Sequence, residues 1–258
     1  MHIAFHKGAA MIHFTMQAAG CIAAVSALFE STRDYCKGWL CGGEPDFAVA
    51  ISSEDIAFER EKSLQEDRLE GLPPRTFTDA YLEITAVQRK IAEHLFEHDT
   101  LLFHGSVVAV DGAAYLFTAK SGTGKSTHTR LWREVFGERA VMINDDKPFL
   151  QIGEEGVTVH GSPWMGKHRL GCNAALPLHA ICILTRGQAN RIEPLPAREA
   201  VPMLLQQTNR PLNRGMLPRY MHLLDELSKR VTFYYLACNM EPEAAVVAYQ
   251  AMSASKKG

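Results

Sequence analysis

The sequence predicts an α/β fold built on a mixed β-sheet, preceded by a small N-terminal α+β lobe. Short apolar, β-prone segments and segments of helical period follow one another along the chain. Turn pairs such as Asp111-Gly112 join neighbouring strands as hairpins, which a purely parallel sheet does not contain. A glycine-rich loop at residues 119–126 lies between a predicted strand and a predicted helix, and this order is typical of phosphate-binding loops.

The N-terminal lobe is predicted to span residues 1–75. Two strands joined at Gly20 are followed by a short helix and a third strand, at 11–18, 21–27, 31–40 and 47–51. Residues 52–70 form a charged run, which we interpret as a solvated face or a loop. The Gly-Leu-Pro-Pro segment at 71–74 then marks the boundary to a second domain at 76–258.

The second domain begins with an amphipathic helix at 79–98, because its leucine, valine and isoleucine residues recur at helical spacing. Apolar runs bounded by turn residues predict strands at 101–104, 106–110, 113–118, 140–144, 149–152, 157–160, 180–185, 191–195 and 231–237. Helical spacing predicts helices at 126–136, 197–208, 217–229 and 242–253, the first of them ended by Gly137.

Composition excludes several classes of function. A formal net charge of −2 gives no electrostatic footprint for nucleic acid or for an anionic membrane. The apolar stretch at 9–29 is interrupted by polar residues and has no basic leader, so we expect neither a signal peptide nor a membrane span. The six cysteines contain no CxxC pair, which favours reduced thiols and a cytoplasmic protein.

Residues 119–126, Ala-Lys-Ser-Gly-Thr-Gly-Lys-Ser, match a phosphate-binding loop except that Ala119 stands at the first glycine position. Backbone N–H groups of such a loop and the following helix N-terminus bind phosphate oxygens. Lys125 can reach the terminal phosphates and Ser126 can ligate Mg²⁺. The alternative is an ordinary glycine-containing turn. The predicted nucleotide-binding residues are Ser121, Gly122, Thr123, Gly124, Lys125, Ser126 and Thr127.

Three polar side chains near the loop are candidates for chemistry. Asp145 and Asp146 follow a buried strand, where one carboxylate can bind metal while the other orients an acceptor hydroxyl. An exposed turn is the alternative for this pair. His104 precedes Gly105 beside the loop strand and can contact phosphate or assist deprotonation, although a histidine in a strand is often structural.

Residues 161–171 form a second unusual segment, with three basic-type side chains between glycines and beside Trp164. Such a loop can close over the terminal phosphate, with Lys167 or Arg169 neutralising charge in the transition state. It can equally hold an acceptor, or be a surface turn that its tryptophan anchors. Arg186, after an apolar strand, is a further candidate cation, for which an exposed strand-end position is the simpler interpretation.

His104-Gly105-Ser106, the Asp111-Gly112 turn, the glycine loop and Asn144-Asp145-Asp146 together resemble the HPr kinase/phosphorylase catalytic domain. The resemblance implies the P-loop fold shared by that domain and phosphoenolpyruvate carboxykinase. It also implies ATP and Mg²⁺ as cofactors and a homo-oligomer. Its metal-binding Glu-x-Arg-Gly-Leu-Gly segment has no counterpart here, and residues 164–171 occupy that part of the chain. By the resemblance, His104 and Lys125 are active-site residues, Ser126 and Asp145 bind Mg²⁺, and Asp146 accepts the proton.

The sequence and the resemblance together predict an ATP-dependent, Mg²⁺-requiring kinase that phosphorylates a hydroxyl group. Its catalytic residues are predicted to be His104, Lys125, Asp146 and Arg169. A peptide, a small protein or a small molecule can carry the acceptor hydroxyl, and neither nucleic acid nor a membrane is an expected partner. Two alternatives remain open: a non-catalytic nucleotide-binding sensor, and a small carboxykinase-like enzyme.

Overall fold

A computed structural model describes residues 11–254. The chain divides into two compact units, one ending at His94 and the other starting at Leu95. The division between these compact units lies near the end of the helix predicted at 79–98. The domain boundary predicted after residue 75 stays a prediction.

The first unit contains a three-stranded sheet in the order β1-β2-β3. Strands β1 and β2 form an antiparallel hairpin, and β3 adds to β2 in parallel. The hairpin turn is Ala19-Gly20, with φ of 51° and 84°, which is the backbone that two-residue hairpin loops require. The elements of this unit are β1 (Ile12–Ala18), β2 (Cys21–Ala27), α1 (Glu30–Tyr35), β3 (Phe47–Ala50), α2 (Ser53–Glu70) and α3 (Asp79–Leu95).

Charged side chains join α2 to α3. Arg89 binds Glu59 at 2.5 Å and Asp55 at 3.1 Å, and Lys90 binds Asp55 at 2.7 Å. All four side chains are less than a third exposed, so these pairs are shielded from water. The charged run at 52–70 is therefore a helix that packs on one side and is largely exposed on the other, so the solvated-face interpretation fits and the loop alternative is wrong.

The second unit is built on a nine-stranded mixed sheet in which β12, β10, β6, β5 and β7 are consecutive neighbours. β6, β10 and β12 run parallel, and β5 is antiparallel to both β6 and β7. The carboxyl ends of β6, β7, β10 and β12 and the amino end of β5 therefore share one edge. The strands are β4 (Thr100–Leu102), β5 (Ser106–Val110), β6 (Ala113–Thr118), β7 (Ala140–Asn144), β8 (Phe149–Gly153), β9 (Gly156–His160), β10 (Ala175–Arg186), β11 (Arg191–Leu195) and β12 (Thr232–Cys238).

Helices cover both faces of this sheet, so its central strands are apolar on both sides. In β5, Val107 belongs to the core under α5 and α6, whereas Val108 belongs to the core under α4 and α7. This alternation follows from the two-residue period of a strand. The helices are α4 (Lys125–Phe136), α5 (Ala197–Gln207), α6 (Leu217–Arg230) and α7 (Glu243–Ser253).

The predicted mixed α/β architecture is confirmed, and most predicted strands and helices lie within a few residues of their observed positions. The 180–185 strand is longer than predicted because its first residues pair with β9 before the strand joins β6 and β12. Within residues 11–254, no helix combines the length and apolar character that crossing a membrane needs. The six cysteines all lie within the described residues, where they form no disulfide.

Candidate active site

The glycine loop connects the carboxyl end of β6 to the first turn of α4. Gly122 and Gly124 have φ of 75° and 124°, values that side chains with a Cβ rarely adopt. Gly124 is the N-cap of α4, and no side chain caps this helix start. The loop backbone and the amides of the first helical turn therefore form the local arrangement that binds anions.

Lys125, the first residue of α4, folds back onto the loop. Its Nζ donates to the Ala119 carbonyl at 3.2 Å. Burial lowers the pKa of Lys125, and the positive charge of Lys147 acts in the same direction, whereas Asp146 opposes the shift. A cation held at the loop with little water around it interacts strongly with an anionic ligand.

His104 and Asp146 meet at the edge of the sheet. The His104 Nε2 atom lies 3.2 Å from Asp146 Oδ1, and each side chain is about one third exposed (31% and 34%). Backbone contacts fix this pairing, because the Gly105 N–H donates to the Asp146 carbonyl at 2.9 Å. Thr118, at the end of β6, donates to the His104 carbonyl at 3.0 Å.

At neutral pH His104 is neutral and Asp146 is ionised. The Asp146 hydrogen bond favours protonation of His104, but burial, Lys147 and Lys125 outweigh it, so the pKa of His104 lies below its usual value. For Asp146, burial is outweighed by the His104 hydrogen bond and the nearby positive charges, so the pKa of this carboxyl is lowered. A neutral imidazole thus donates from Nε2 to an ionised carboxylate.

Asn144 shapes the turn that presents the two aspartates. Its Oδ1 accepts from the N–H groups of Asp146 at 2.8 Å and Lys147 at 2.6 Å, while its Nδ2 donates to the Ser162 carbonyl at 3.0 Å. Asn144 and Ser162 are completely buried. This network holds the end of β7 in one conformation, although sequence reasoning gave Asn144 no role in the site.

Asp145 faces the 161–171 segment. It is 6% exposed, and its Oδ1 accepts from the Gly166 N–H at 2.7 Å. Burial raises the pKa of this carboxyl, which the hydrogen bonds from Gly166 and Leu170 only partly offset. As placed, Asp145 is an anchor for the segment.

The 161–171 segment is fixed where it begins. A Cβ at Gly161 would lie 1.9 Å from the Cys172 carbonyl oxygen, so only glycine fits there. Trp164 is buried and packs edge-on against Phe149 at 6.1 Å, which supports the interpretation of an anchored turn. Arg169 is exposed and has an unusual φ of 48°. The segment therefore combines a buried anchor at Trp164 with exposed basic side chains at 167–169.

Arg186, at the end of β10, contacts the glycine loop from the side of β10. Its Nη2 donates to the Gly122 carbonyl at 2.6 Å and its Nε to the Thr123 carbonyl at 3.4 Å. Bonds to these carbonyl groups restrict the orientation of the loop peptides. The parallel pairing of β10 with β6 creates this contact, and no local sequence signal reveals it.

The structure thus brings the loop, Lys125, His104 and Asp146 to one edge of the sheet. Ser126 is exposed in the first turn of α4, and its hydroxyl is the type of oxygen ligand that Mg²⁺ prefers. Asp145 already accepts from the Gly166 N–H of the 161–171 segment, so holding Mg²⁺ would require its carboxylate to share or exchange that hydrogen bond. Among residues 11–254, no group of three or more His, Cys, Asp or Glu side chains is placed to hold a metal ion.

Comparisons with known proteins identify a family. A family model described as SynChlorMet cassette protein ScmC matches residues 75–255, which is more than half of the chain. A solved structure of the Hpr(Ser) kinase/phosphatase from Coxiella burnetii matches with 13% identity and a TM-score of 0.28, over 48% of this chain and 98% of that one. The curated proteins gave no match.

Proposed function

The chain belongs to the ScmC family, and from the geometry of its site we propose that it is a nucleotide-dependent kinase. It binds ATP with Mg²⁺ at residues 119–127 and transfers the γ-phosphate to a hydroxyl acceptor. The resemblance to HPr kinase in the order of its motifs supports a serine of a peptide or small protein as that acceptor.

One observation carries the proposal: an ionised, partly exposed carboxylate lies beside a neutral histidine at the same sheet edge as the phosphate loop. The loop alone indicates phosphate binding. Asp146 adds a group that can orient an incoming hydroxyl and accept its proton as the phosphorus–oxygen bond forms. His104 holds that carboxylate in place through its 3.2 Å contact.

The remaining residues bind and position the nucleotide. The amides of residues 121–127 hold the phosphate oxygens, and Lys125 binds the terminal phosphates by exchanging its contact with the Ala119 carbonyl. Ser126 and Asp145 are the residues proposed to hold Mg²⁺, which when bound neutralises phosphate charge. Arg169, exposed on the anchored segment, is proposed to contact the transferred phosphoryl group.

The proposal is tested with Asp146→Asn in the full chain. We expect acceptor-dependent ADP release to fall by about 10²–10⁴-fold, the usual contribution of a positioned base, while ATP binding by calorimetry is retained. Asp111→Asn is the matched control, because Asp111 is an exposed carboxylate paired with Arg139 on the surface. This control is expected to turn over like the wild type.

The acceptors offered are serine-containing peptides, small proteins and oxaloacetate. Unchanged turnover in Asp146→Asn rules out the role assigned to that carboxylate. ATP binding with no acceptor-dependent ADP release identifies a nucleotide-binding sensor instead of a kinase. ADP formation that depends on oxaloacetate alone identifies a carboxykinase-like enzyme.

A further inference from the structure

A cavity of about 500 Å³ opens beside the phosphate loop, on the side of β10 and β12. This volume is within the range of sites that bind small molecules. Its lining includes Gly122 and Gly124, so the cavity begins at the loop itself. Apolar walls come from Leu131, Leu184 and Met240, and polar groups from Thr185 and Asn239.

The cavity and the candidate catalytic residues lie on opposite sides of β6. In the strand order, β5 and β7 are on one side of the loop strand, and they carry His104 and Asp146. β10 and β12 are on the other side, and their carboxyl ends form the cavity wall. Neither His104, Lys125 nor Asp146 lines the cavity.

His128 forms part of the cavity wall and has a fixed tautomer. Burial lowers the pKa of His128 to about 4, so the ring is neutral at neutral pH. Trp132, whose indole N–H can only donate, donates to His128 Nε2 at 3.0 Å. The ring proton therefore lies on Nδ1. That atom is buried and has no hydrogen-bond partner within the described part of the chain.

A buried donor with no acceptor costs free energy, which a small rearrangement, a water or a ligand can recover by supplying an acceptor. A flat base fits between the leucine side chains of the cavity wall, and His128, whose Nδ1–H is buried in that wall, lies next to it. In a bound nucleoside triphosphate, the terminal phosphate would lie at Lys125 and Asp146, and the other phosphates would follow the loop towards β10. The nucleoside, at the opposite end of the triphosphate, then reaches the cavity.

From this arrangement we propose that the cavity is the nucleoside site, in which the base packs between Leu131 and Leu184 and beside His128. The inference rests on the proposed nucleotide binding and assigns the direction of the nucleotide across the loop. It also assigns the route of the phosphoryl acceptor, which approaches from the side of β5, β7 and the 161–171 segment.

The first test compares ATP with inorganic tripolyphosphate, both with Mg²⁺, by calorimetry. Cys238→Phe places a ring in the cavity, and we expect ATP binding to weaken about tenfold while tripolyphosphate binding is unchanged. Cys41→Phe is the control, since it makes the same change at a partly exposed cysteine of the first unit. Lys125→Ala is expected to weaken both ligands.

Each outcome separates the two proposals. If the wild type binds neither ligand, the proposed function fails and the nucleoside site fails with it. If the wild type binds tripolyphosphate as tightly as ATP, or if Cys238→Phe weakens both ligands equally or neither, the nucleoside site alone is wrong.

Photolabelling of the wild type with 8-azido-ATP decides the question even if Cys238→Phe does not fold. We expect the label within residues 127–131, 184–187 or 238–240, and we expect excess ATP to suppress it. A label in residues 161–171, or at any place away from the cavity, overturns the assignment.

Discussion

Two carboxylates, one in each unit, have contrasting surroundings. Glu83 in the first unit is fully buried, and its oxygens accept from the N–H groups of Leu28 at 2.5 Å and Phe29 at 3.1 Å and from the Thr32 hydroxyl. Asp146 in the second unit is 34% exposed and contacts a histidine that is itself partly exposed.

The difference separates charge that stabilises a fold from charge that is available for chemistry. Glu83 joins α3 to the connection between β2 and α1, and it cannot change partners without leaving buried donors unpaired. Asp146 can accept a further hydrogen bond at modest cost because part of its surface already faces solvent. Mutation of Glu83 should therefore lower the stability of its unit, whereas mutation of Asp146 should leave stability nearly unchanged.

The largest expected effect on stability is that of Glu83→Ala. Three donors lose their acceptor, and each unpaired buried group costs about 1–3 kcal/mol, so we expect the first unit to lose about 3 kcal/mol or more. Hydrogen exchange of residues 21–35 measures this loss in the first unit alone. Asp146→Asn is the contrasting variant, and it should leave exchange throughout the chain close to that of the wild type.

If Glu83→Ala exchanges like the wild type, the buried contacts of Glu83 do not stabilise this unit and the comparison fails. Glu83→Gln refines the test, because its amide retains one acceptor oxygen. It should lie between the wild type and Glu83→Ala.

His128 extends the comparison to a buried group that has no ionic partner. The unfolded chain takes up a proton on this residue below its ordinary pKa of about 6.5, whereas the folded chain does not until the pH approaches about 4. The contribution of neutral His128 to the free energy of unfolding is therefore complete above pH 6.5. It is lost as the pH falls towards 4, because only the unfolded chain takes up the proton in this range. The loss is expected to reach about 3 kcal/mol for the second unit.

Urea unfolding at several pH values measures this dependence. His128→Gln is the matched variant, because its side chain cannot titrate but can still accept from the Trp132 indole. We expect its stability to change less between pH 6.5 and 4. An equally steep curve in this variant would mean that other groups cause the acid sensitivity.

The strands of the second unit carry clear sequence signals, whereas helix α2 of the first unit does not. The strands of the second unit were predictable because apolar runs are interrupted by turn residues such as Asp111-Gly112, whose φ values of 52° and 81° match a tight hairpin. The charged helix α2 was missed because it has no apolar stripe. Its inward face includes Glu59 and Asp67, which are buried with cationic partners.

In the candidate site too, some features follow from local motifs and others follow only from strand pairing. Motif order alone predicted that His104, Lys125 and Asp146 are neighbours, and the structure places His104 against Asp146, with Lys125 close enough to influence the pKa of both. Arg186 and the cavity depend on the parallel pairing of β10 with β6 and β12, over separations at which local patterns carry no information. The sequence offered Arg186 only as a candidate cation at a strand end, and its contact with the glycine loop and the cavity beside it follow from the sheet.

The smallest effect that we predict concerns the start of α2, where a sequence signal for the helix does exist. The Asp55 N–H donates to Ser52 Oγ at 3.4 Å, and the Ser52 N–H donates to Asp55 Oδ2 at 3.0 Å, which is a capping box. Ser52→Ala should cost the first unit about 1 kcal/mol, a typical value for a lost cap. Arg89 and Lys90 still hold Asp55, which keeps the loss modest.

Hydrogen exchange of residues 53–60 measures this change, and Ser63→Ala inside the same helix is the control. Alanine has the higher helix propensity, so the control should be neutral or slightly stabilising. Equal effects of the two substitutions would mean that the cap contributes nothing and that the contacts of α2 with α3 alone hold this charged segment as a helix.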